Sequence, residues 1–249
     1  MICTPAIVTN IIPYSESSLI LKVFSFHKGQ ISIIAKGWLR KAERMQILRF
    51  CEYEFTLVEP KEEGLYLLKE AAFLTDFSQY SSSSTWATAE CGAELLTQMI
   101  IPQHEAKPYY TLLCEYFKYL GKLEQNSVLI LWRFWYRVFV LLGIPFDLSL
   151  CHECGEKKTP FAIARSTGDL LCQSCAFTAH KESTLVLSPI SAEIISKLSE
   201  IGNHVDSFQL TRSILGEINT IFLSYYQAHQ KQTLKLKSLS VLIQFYPKA

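Results

Sequence analysis

Four cysteines carry the clearest chemistry in this chain. They form two C-x-x-C pairs, Cys151 with Cys154 and Cys172 with Cys175, and the pairs lie roughly 17 residues apart. A C-x-x-C turn lets two sulfurs meet one ion without strain, and two such turns supply the four ligands of a tetrahedral zinc site. Because four thiolates leave no open coordination position, the spacing predicts one structural zinc ion and not a catalytic one.

Alternatives to zinc stay open at this point. The same pairs occur in redox and disulfide-forming motifs, and cysteines can also simply be buried. His152 lies inside the first pair and could compete as a ligand, but with four thiolates present we expect it to be a solvated turn residue. Gly155 follows the first pair, where a tight turn needs a backbone that can adopt positive φ.

The composition excludes some classes of protein. The chain has 249 residues, of which 49% are hydrophobic and 19% charged, as expected of a folded protein, and its net charge is +1. No global field therefore draws it to nucleic acid or to a membrane. Eight cysteines without a secretory signal predict a reducing compartment, hence the cytoplasm. The most apolar stretch, 128–144, contains Arg133 and Arg137, which favours a buried helix over a membrane span.

The N-terminal third of the chain is predicted to form strands. Short runs rich in Ile, Val, Phe and Tyr are separated by turn signals such as Pro13, Gly29 and Gly37. The runs are 6–12, 19–26, 30–35, 51–58 and 64–70. Five short strands predict a small antiparallel barrel of the OB-fold type, which commonly binds single strands, although an SH3-like barrel would show a similar pattern.

Beyond a serine run at 81–84 the period becomes helical. Ser84 or Thr85 is predicted to cap the first helix, and Pro189 to open a later one. We therefore predict an α+β protein with an OB-fold domain over 1–80 and a helical domain over 81–249. The zinc module is predicted as an insertion into the helical domain at about 148–180.

Basic residues cluster on the barrel. Seven stand between Lys22 and Arg49, with Glu43 as the one acid among them. Single-strand binders combine cationic grooves with aromatic platforms on which bases stack. The candidate DNA contacts are Lys22, Lys28, Lys36, Trp38, Arg40, Lys41 and Arg44. The alternative is that Trp38 packs back onto the barrel and that the cations are merely solvated.

Arg133 and Arg137 lie four residues apart, on one face of the apolar helix. Either they pair internally with a glutamate of a neighbouring helix, or they border a groove that receives an acidic, apolar peptide.

Motifs of catalysis are absent from the sequence. It has no G-x-x-x-x-G-K-[ST] loop, no G-x-S-x-G elbow and no H-E-x-x-H pair, and its six histidines are dispersed. We therefore expect a binding protein and not an enzyme.

The order of these pieces resembles the bacterial recombination mediator family RecO along the length of the chain. The resemblance is carried by Ala6–Val8, Tyr14–Ser17, Gly29–Ser32, Ala35–Gly37, Leu131–Trp135, Leu142–Leu148, Gly168–Cys172, His229 and Leu236–Leu239. The cysteine pairs are the most specific element. The chain departs from the family pattern at Trp38 and Leu39, where members often have small or basic residues.

The resemblance implies an N-terminal OB-fold, a helical domain with a zinc module, and no covalent chemistry. It implies binding of single- and double-stranded DNA, annealing of complementary strands, and cooperation with RecR and single-strand-binding protein in loading RecA. It also implies that the cations of the barrel contact phosphates and that the protein works at the nucleoid. The helical domain would hold the tail of single-strand-binding protein, and we assign Arg133 and Arg137 to that contact.

Two other classes remain as alternatives. An RNA- or ribosome-associated protein can combine an OB-fold with a zinc ribbon, and annealing of protein-coated DNA strands would separate it from a mediator. A nuclease is the third, although the sequence lacks a carboxylate cluster with metal-ligand spacing.

Overall fold

The apolar runs of the N-terminal region form five strands in the computed structural model, which describes residues 1–40, 46–145, 147–148, 150–178 and 184–248. The strands are β1 (Ile2–Ser15), β2 (Ser18–Ser25), β3 (Gly29–Ala35), β4 (Cys51–Val58) and β5 (Tyr66–Asp76). They close into a barrel in the order β1-β2-β3-β5-β4. All neighbouring pairs are antiparallel except β3 with β5. The predicted five-stranded barrel is confirmed.

The alternation of apolar and polar residues along each strand decides which side chains fill the barrel. In β4, Tyr53, Phe55 and Leu57 are buried, whereas the intervening Glu54 is exposed. Successive side chains of a strand point to opposite faces, so the apolar half of each strand points inward. These residues join Leu21, Val23 and Ile33 from the neighbouring strands in one hydrophobic cluster.

One helix belongs to the barrel's compact unit. Helix α2 (Ala106–Leu120) presents an apolar stripe to the barrel, where Phe117 lies 5.1 Å from the Phe50 ring and Tyr110 lies 5.4 Å from the Phe26 ring, centroid to centroid. The Tyr110 hydroxyl also donates a hydrogen bond to the Glu52 carboxylate. Burial and this hydrogen bond raise the pKa of the Tyr110 phenol, so that the hydroxyl stays protonated as the donor.

Outside the cysteine module, five helices of the described residues belong to the second unit. They are α1 (Ser83–Gln98), α3 (Val128–Leu141), α5 (Pro189–Ser196), α6 (Arg212–Gln230) and α7 (Lys237–Leu242). Helix α3 is buried on most faces, as its uniformly apolar sequence predicts. Gly143, at φ +72°, ends it, and the side chains of Trp135 and Phe222 stack at 5.3 Å between α3 and α6. Within the described part of the chain, no helix combines the length and apolar character that a membrane crossing requires.

The cysteine module forms a small sheet within the second unit. Strands β6 (Ala162–Ala164), β7 (Leu170–Leu171) and β8 (Thr184–Val186) pair antiparallel in the order β7-β6-β8, and the short helix α4 spans Gln173–Thr178.

Serine hydroxyls cap two helices of the second unit. The Ser188 hydroxyl accepts from the Ser191 amide at 3.3 Å, with Pro189 in the first turn as predicted. At α1 the prediction of Ser84 or Thr85 as the cap was wrong. The helix begins at Ser83, and the Ser82 hydroxyl accepts from the Thr85 amide at 3.2 Å. Any serine of the run offers the same acceptor, so composition alone could not locate the cap.

The two compact units are Met1–Ser81 with Met99–Lys122, and Ser82–Gln98 with Leu123–Ala249. The domain boundaries 1–80 and 81–249 stay predictions. The structure adds that the segment carrying α2 groups with the barrel.

Candidate metal centre and nucleic-acid interface

The four predicted ligands come together in the cysteine module. Cys151 and Cys154 lie in a tight turn, closed by a hydrogen bond from the Gly155 amide to the Cys151 carbonyl at 2.8 Å. Gly155 has φ +67°, as that turn was expected to require. Cys172 directly follows β7, and Cys175 lies on α4. The short elements of the module therefore place the two pairs of sulfur atoms next to each other.

The sulfur positions fit a tetrahedral zinc site. All four Sγ atoms lie within 4.8 Å of one another, and Cys154 Sγ is 4.0 Å from Cys172 Sγ. A tetrahedron with Zn–S distances of about 2.3 Å has edges of about 3.8 Å, so little movement would be needed to bind the ion. All four are free thiols here, and a disulfide would need sulfurs about 2.05 Å apart.

Backbone amides lower the pKa of one thiol in the cluster and so favour its thiolate form. Burial opposes ionisation of Cys151, but amides of Cys154, Cys172 and Glu153 hydrogen-bond to its sulfur and lower the pKa of this thiol to about 6. One of these bonds, from the Cys172 amide to Cys151 Sγ, is 3.3 Å long. The hydrogen bond between Cys175 and the Cys172 sulfur raises the pKa of the Cys175 thiol to about 12. A thiolate surrounded by further sulfurs is the donor set that Zn²⁺ prefers.

His152 behaves as a turn residue. Its side chain is 61% exposed, and its Nδ1 lies 3.7 Å from the Asp169 carboxylate and not among the sulfurs.

A glycine joins the cysteine module to helix α6. Gly168, in the turn between β6 and β7, has φ +77°, and a Cβ placed there would lie 2.5 Å from the Tyr225 backbone nitrogen. The Tyr225 hydroxyl donates to the Pro145 carbonyl at 3.1 Å, at the chain segment that leads into the module. The module therefore packs on α6 with no space for a side chain at residue 168.

Two of the predicted DNA contacts share one edge of the barrel. Lys36 and Arg40 are exposed and follow the end of β3. Their segment is attached to the β1–β2 turn, because the Gly37 amide donates to Ser18 Oγ at 3.2 Å and the Leu39 amide donates to the Ser17 carbonyl at 3.0 Å. The segment that carries Lys36 and Arg40 therefore lies against the β1–β2 turn.

Lys22 and Lys28 take different places. Lys22 lies in β2 on the outside of the barrel, and its Nζ donates to Ser32 Oγ at 2.8 Å. Lys28 lies at the β2–β3 turn, at the other end of the hairpin from Lys36, and pairs with Glu59 at 2.8 Å. That hydrogen bond raises the pKa of Lys28. The structure therefore separates Lys28 from the other cations and partly neutralises it.

The structure contradicts the prediction that Trp38 is an exposed platform for base stacking. It lies in a 3₁₀ turn, Trp38–Arg40, but its side chain is only 7% exposed and packs into the hydrophobic cluster of the barrel. Burial of so large an apolar ring outweighs any benefit from leaving it in the loop. The alternative, that Trp38 packs back onto the barrel, describes the structure. Lys41 and Arg44, the remaining candidates, lie outside the described residues.

Arg133 and Arg137 lie on α3 as predicted, Arg133 half-buried and Arg137 exposed. Over the parts of the chain that the structure describes, the ion pairs include none that involves Arg133. An internal glutamate partner for Arg133 is therefore not seen in those parts.

Two residues near the β1–β2 turn were not predicted from the sequence as parts of the barrel surface. Tyr14 is exposed, and Glu16 lies 3.8 Å from the Arg40 guanidinium.

Family comparisons cover nearly the whole chain. The family model described as Recombination protein O N terminal matches residues 1–77, and the one described as Recombination protein O C terminal matches residues 81–239. The chain belongs to the RecO family.

Curated RecO proteins are similar over almost their full length. The DNA repair protein RecO of Exiguobacterium sp. is 23% identical over 245 residues, which are 96% of this chain and 94% of that protein. The DNA repair protein RecO of Halalkalibacterium halodurans is 25% identical over 236 residues, 92% of this chain and 90% of that protein. That of Desulforamulus reducens is 25% identical over 229 residues. A RecO-family DNA repair protein thus has the barrel and the clustered cysteines described above.

Proposed function

We propose that this chain binds DNA through the barrel surface that carries Lys36 and Arg40, and that it anneals complementary strands during repair. The observation that supports this most directly is the attachment of these cations to the β1–β2 turn, on a RecO-family barrel. Two exposed cations on one edge give phosphates a place to bind, although the whole chain has a net charge of only +1.

Annealing follows from binding two strands without reading their sequence. Contacts to phosphates position a strand but carry no sequence information, so one surface serves any pair of complementary strands. Base pairing then selects the partner. The protein would act by bringing strands together and would need no catalytic residue, in keeping with the expectation of a binding protein.

The cysteine module would hold one zinc ion through Cys151, Cys154, Cys172 and Cys175. Four sulfur ligands close the coordination sphere, so the ion would stabilise the module and take no part in a reaction. The convergence of all four sulfurs on one point favours a metal ion, because a redox pair or a single disulfide would need only two of them.

The proposed role as a mediator includes partners. By its family, the chain would work with RecR and help RecA load on strands coated by single-strand-binding protein, in the cytoplasm at the nucleoid. Arg133 and Arg137 on α3 would hold the acidic tail of single-strand-binding protein, because a guanidinium binds a carboxylate through two parallel hydrogen bonds.

With Arg133→Ala, tail-peptide affinity should fall while the melting temperature and annealing of naked DNA persist. Unchanged peptide affinity would remove Arg133 from the contact.

A charge-matched pair of variants tests the DNA surface. We expect Lys36→Ala with Arg40→Ala to weaken binding to oligonucleotides of any sequence and to reduce the salt slope for single strands by about 1.4, from two contacts of about 0.7 each. The control is Lys61→Ala with Lys69→Ala, which removes two exposed lysines of the same barrel unit from β5 and the turn before it.

Both variants should then be tested for annealing of complementary strands coated with single-strand-binding protein. The proposal requires the first double variant to anneal more slowly than the control. If both bind and anneal like the wild-type protein, the DNA path lies elsewhere on the molecule.

A further inference from the structure

The four cysteines of the module differ in their access to solvent. Cys154 is exposed and Cys175 half-buried, whereas Cys151 and Cys172 are each only 2% exposed. Of the eight cysteines in the chain, only Cys3 shares the exposure of Cys154. A small oxidant in solution therefore reaches Cys154 before the other three sulfurs of the cluster.

A buried sulfur of the other pair lies close to Cys154. The Sγ atoms of Cys154 and Cys172 are 4.0 Å apart, so each would move by about 1 Å to reach the disulfide length of about 2.05 Å. The two cysteines come from different C-x-x-C pairs, and a disulfide between them would remove one ligand from each pair. The two sulfurs that remain cannot complete a tetrahedral zinc site.

The module has a small apolar core. Its buried cluster consists of Cys151, Ala162, Leu171, Cys172 and Ala176, so two of these five residues are themselves proposed metal ligands. A core of this size stabilises a fold weakly, and folding of such small units is commonly coupled to metal binding. Loss of the ion should therefore unfold the module locally and release its contact with α6.

We propose that Cys154 is a site of oxidation by hydroperoxides, and that a disulfide between Cys154 and Cys172 then expels the zinc ion. This rests on the zinc site of the proposed function. The Cys154 thiolate attacks one peroxide oxygen and becomes a sulfenic acid, while the O–O bond breaks and the other oxygen leaves, protonated, as water or an alcohol. The Cys172 thiolate then attacks the sulfenic sulfur, and the hydroxide that leaves is protonated to water. The two sulfurs together lose two electrons, the peroxide gains them, and zinc stays Zn²⁺.

The position of Cys172 makes this oxidation reversible. A sulfenic acid without a neighbouring thiol can be oxidised further to a sulfinic acid, which thiols do not reduce. Formation of the disulfide prevents that second oxidation. A dithiol reductant then breaks the S–S bond by exchange and restores both ligands.

The test follows the metal and the sulfurs together. Zinc-containing wild-type protein is titrated with hydrogen peroxide in the presence of a chromophoric zinc chelator, and unreduced peptides are mapped by mass spectrometry. We expect zinc to be released in step with formation of a Cys154–Cys172 disulfide. Treatment with a dithiol and added zinc should reverse both changes.

Two variants identify the sulfur that is oxidised. Cys154→His gives a site of three sulfurs and one nitrogen, a ligand set that zinc accepts, but removes the exposed thiol. It should retain zinc at peroxide concentrations that empty the wild type. Cys3→Ser removes the other exposed cysteine and should lose zinc as the wild type does. If Cys154→His does not hold zinc, the disulfide map of the wild type decides alone.

Each outcome supports or overturns the proposal. If the purified protein holds no zinc, the proposed zinc site fails, and this inference fails with it. If zinc stays bound after Cys3 is fully oxidised, or if the disulfide that accompanies its release does not join Cys154 to Cys172, the zinc site stands and the oxidation site is overturned. Release of zinc from Cys154→His at the peroxide concentration that empties the wild type also overturns it, as does protection by Cys3→Ser.

Discussion

Replacing Gly168 with alanine tests how the cysteine module is joined to helix α6. Two costs add at this position. Gly168 has φ +77°, a left-handed conformation that costs an L-residue about 1 kcal/mol or more. A new Cβ would also lie 2.5 Å from the Tyr225 nitrogen and 2.6 Å from its Cα, which are backbone atoms of a helix and cannot rotate away.

Overpacking of this kind costs about 1–3 kcal/mol. The sum predicts that Gly168→Ala lowers the free energy of unfolding of the second unit by about 2–4 kcal/mol.

Gly143→Ala is the matched control. Gly143 has nearly the same backbone, at φ +72°, but nothing lies within 4 Å of a Cβ built there. This variant should show the backbone cost without the clash. The difference between the two variants therefore measures the close approach of the module to α6.

The assay combines chemical denaturation, followed by tryptophan fluorescence, with release of zinc to a chromophoric chelator. Trp132 and Trp135 are buried on α3 and report on the second unit. Gly168→Ala should unfold at lower denaturant concentration than Gly143→Ala and release metal faster. Equal stability of the two variants would refute the packing argument, because only residue 168 meets the Tyr225 backbone.

Three further outcomes follow from single contacts. Protein purified without chelator should contain one equivalent of zinc, and Cys172→Ala should lose the metal and destabilise the module while the barrel stays folded; substantially less than one equivalent by elemental analysis would count against the site. Glu16→Gln should strengthen single-strand binding a few-fold at low salt, because it releases Arg40 from its exposed ion pair, and the gain should vanish at high salt. Glu94→Ala should lower the melting temperature, because the Glu94 carboxylate accepts the Ser238 amide at 2.9 Å at the start of α7, and an unchanged melting curve would contradict that role.

Local pattern was sufficient for the barrel strands, for helix α3 and for the clustered cysteines. The strands could be predicted because alternation has a period of two and glycines and prolines interrupt it, and α3 because it is apolar on nearly every face. The cysteine pairs needed no knowledge of the fold, since a C-x-x-C turn brings two sulfurs together by itself. Gly155 could be predicted for the same reason, because the turn is local.

Contacts between residues distant in sequence could not be inferred in this way. Trp38 and its neighbouring cations share a loop, but the structure buries the indole in the barrel and leaves Arg40 in solvent. Lys28 belongs to the same basic stretch, yet the barrel closes so that it meets Glu59 and not Lys36. Composition records the sign of these charges, whereas strand pairing decides which of them share a surface.

The sequence by itself determined the five barrel strands, the buried helix α3 and the four cysteines that cluster, because each depends on residues that are close along the chain. Only the tertiary structure decided that α2 belongs with the barrel, that Gly168 lies against Tyr225, and that Trp38 is buried in the hydrophobic cluster of the barrel. Those relations depend on how the strands close into a barrel and on which distant segments pack together, and neither is encoded in residues that are close along the chain.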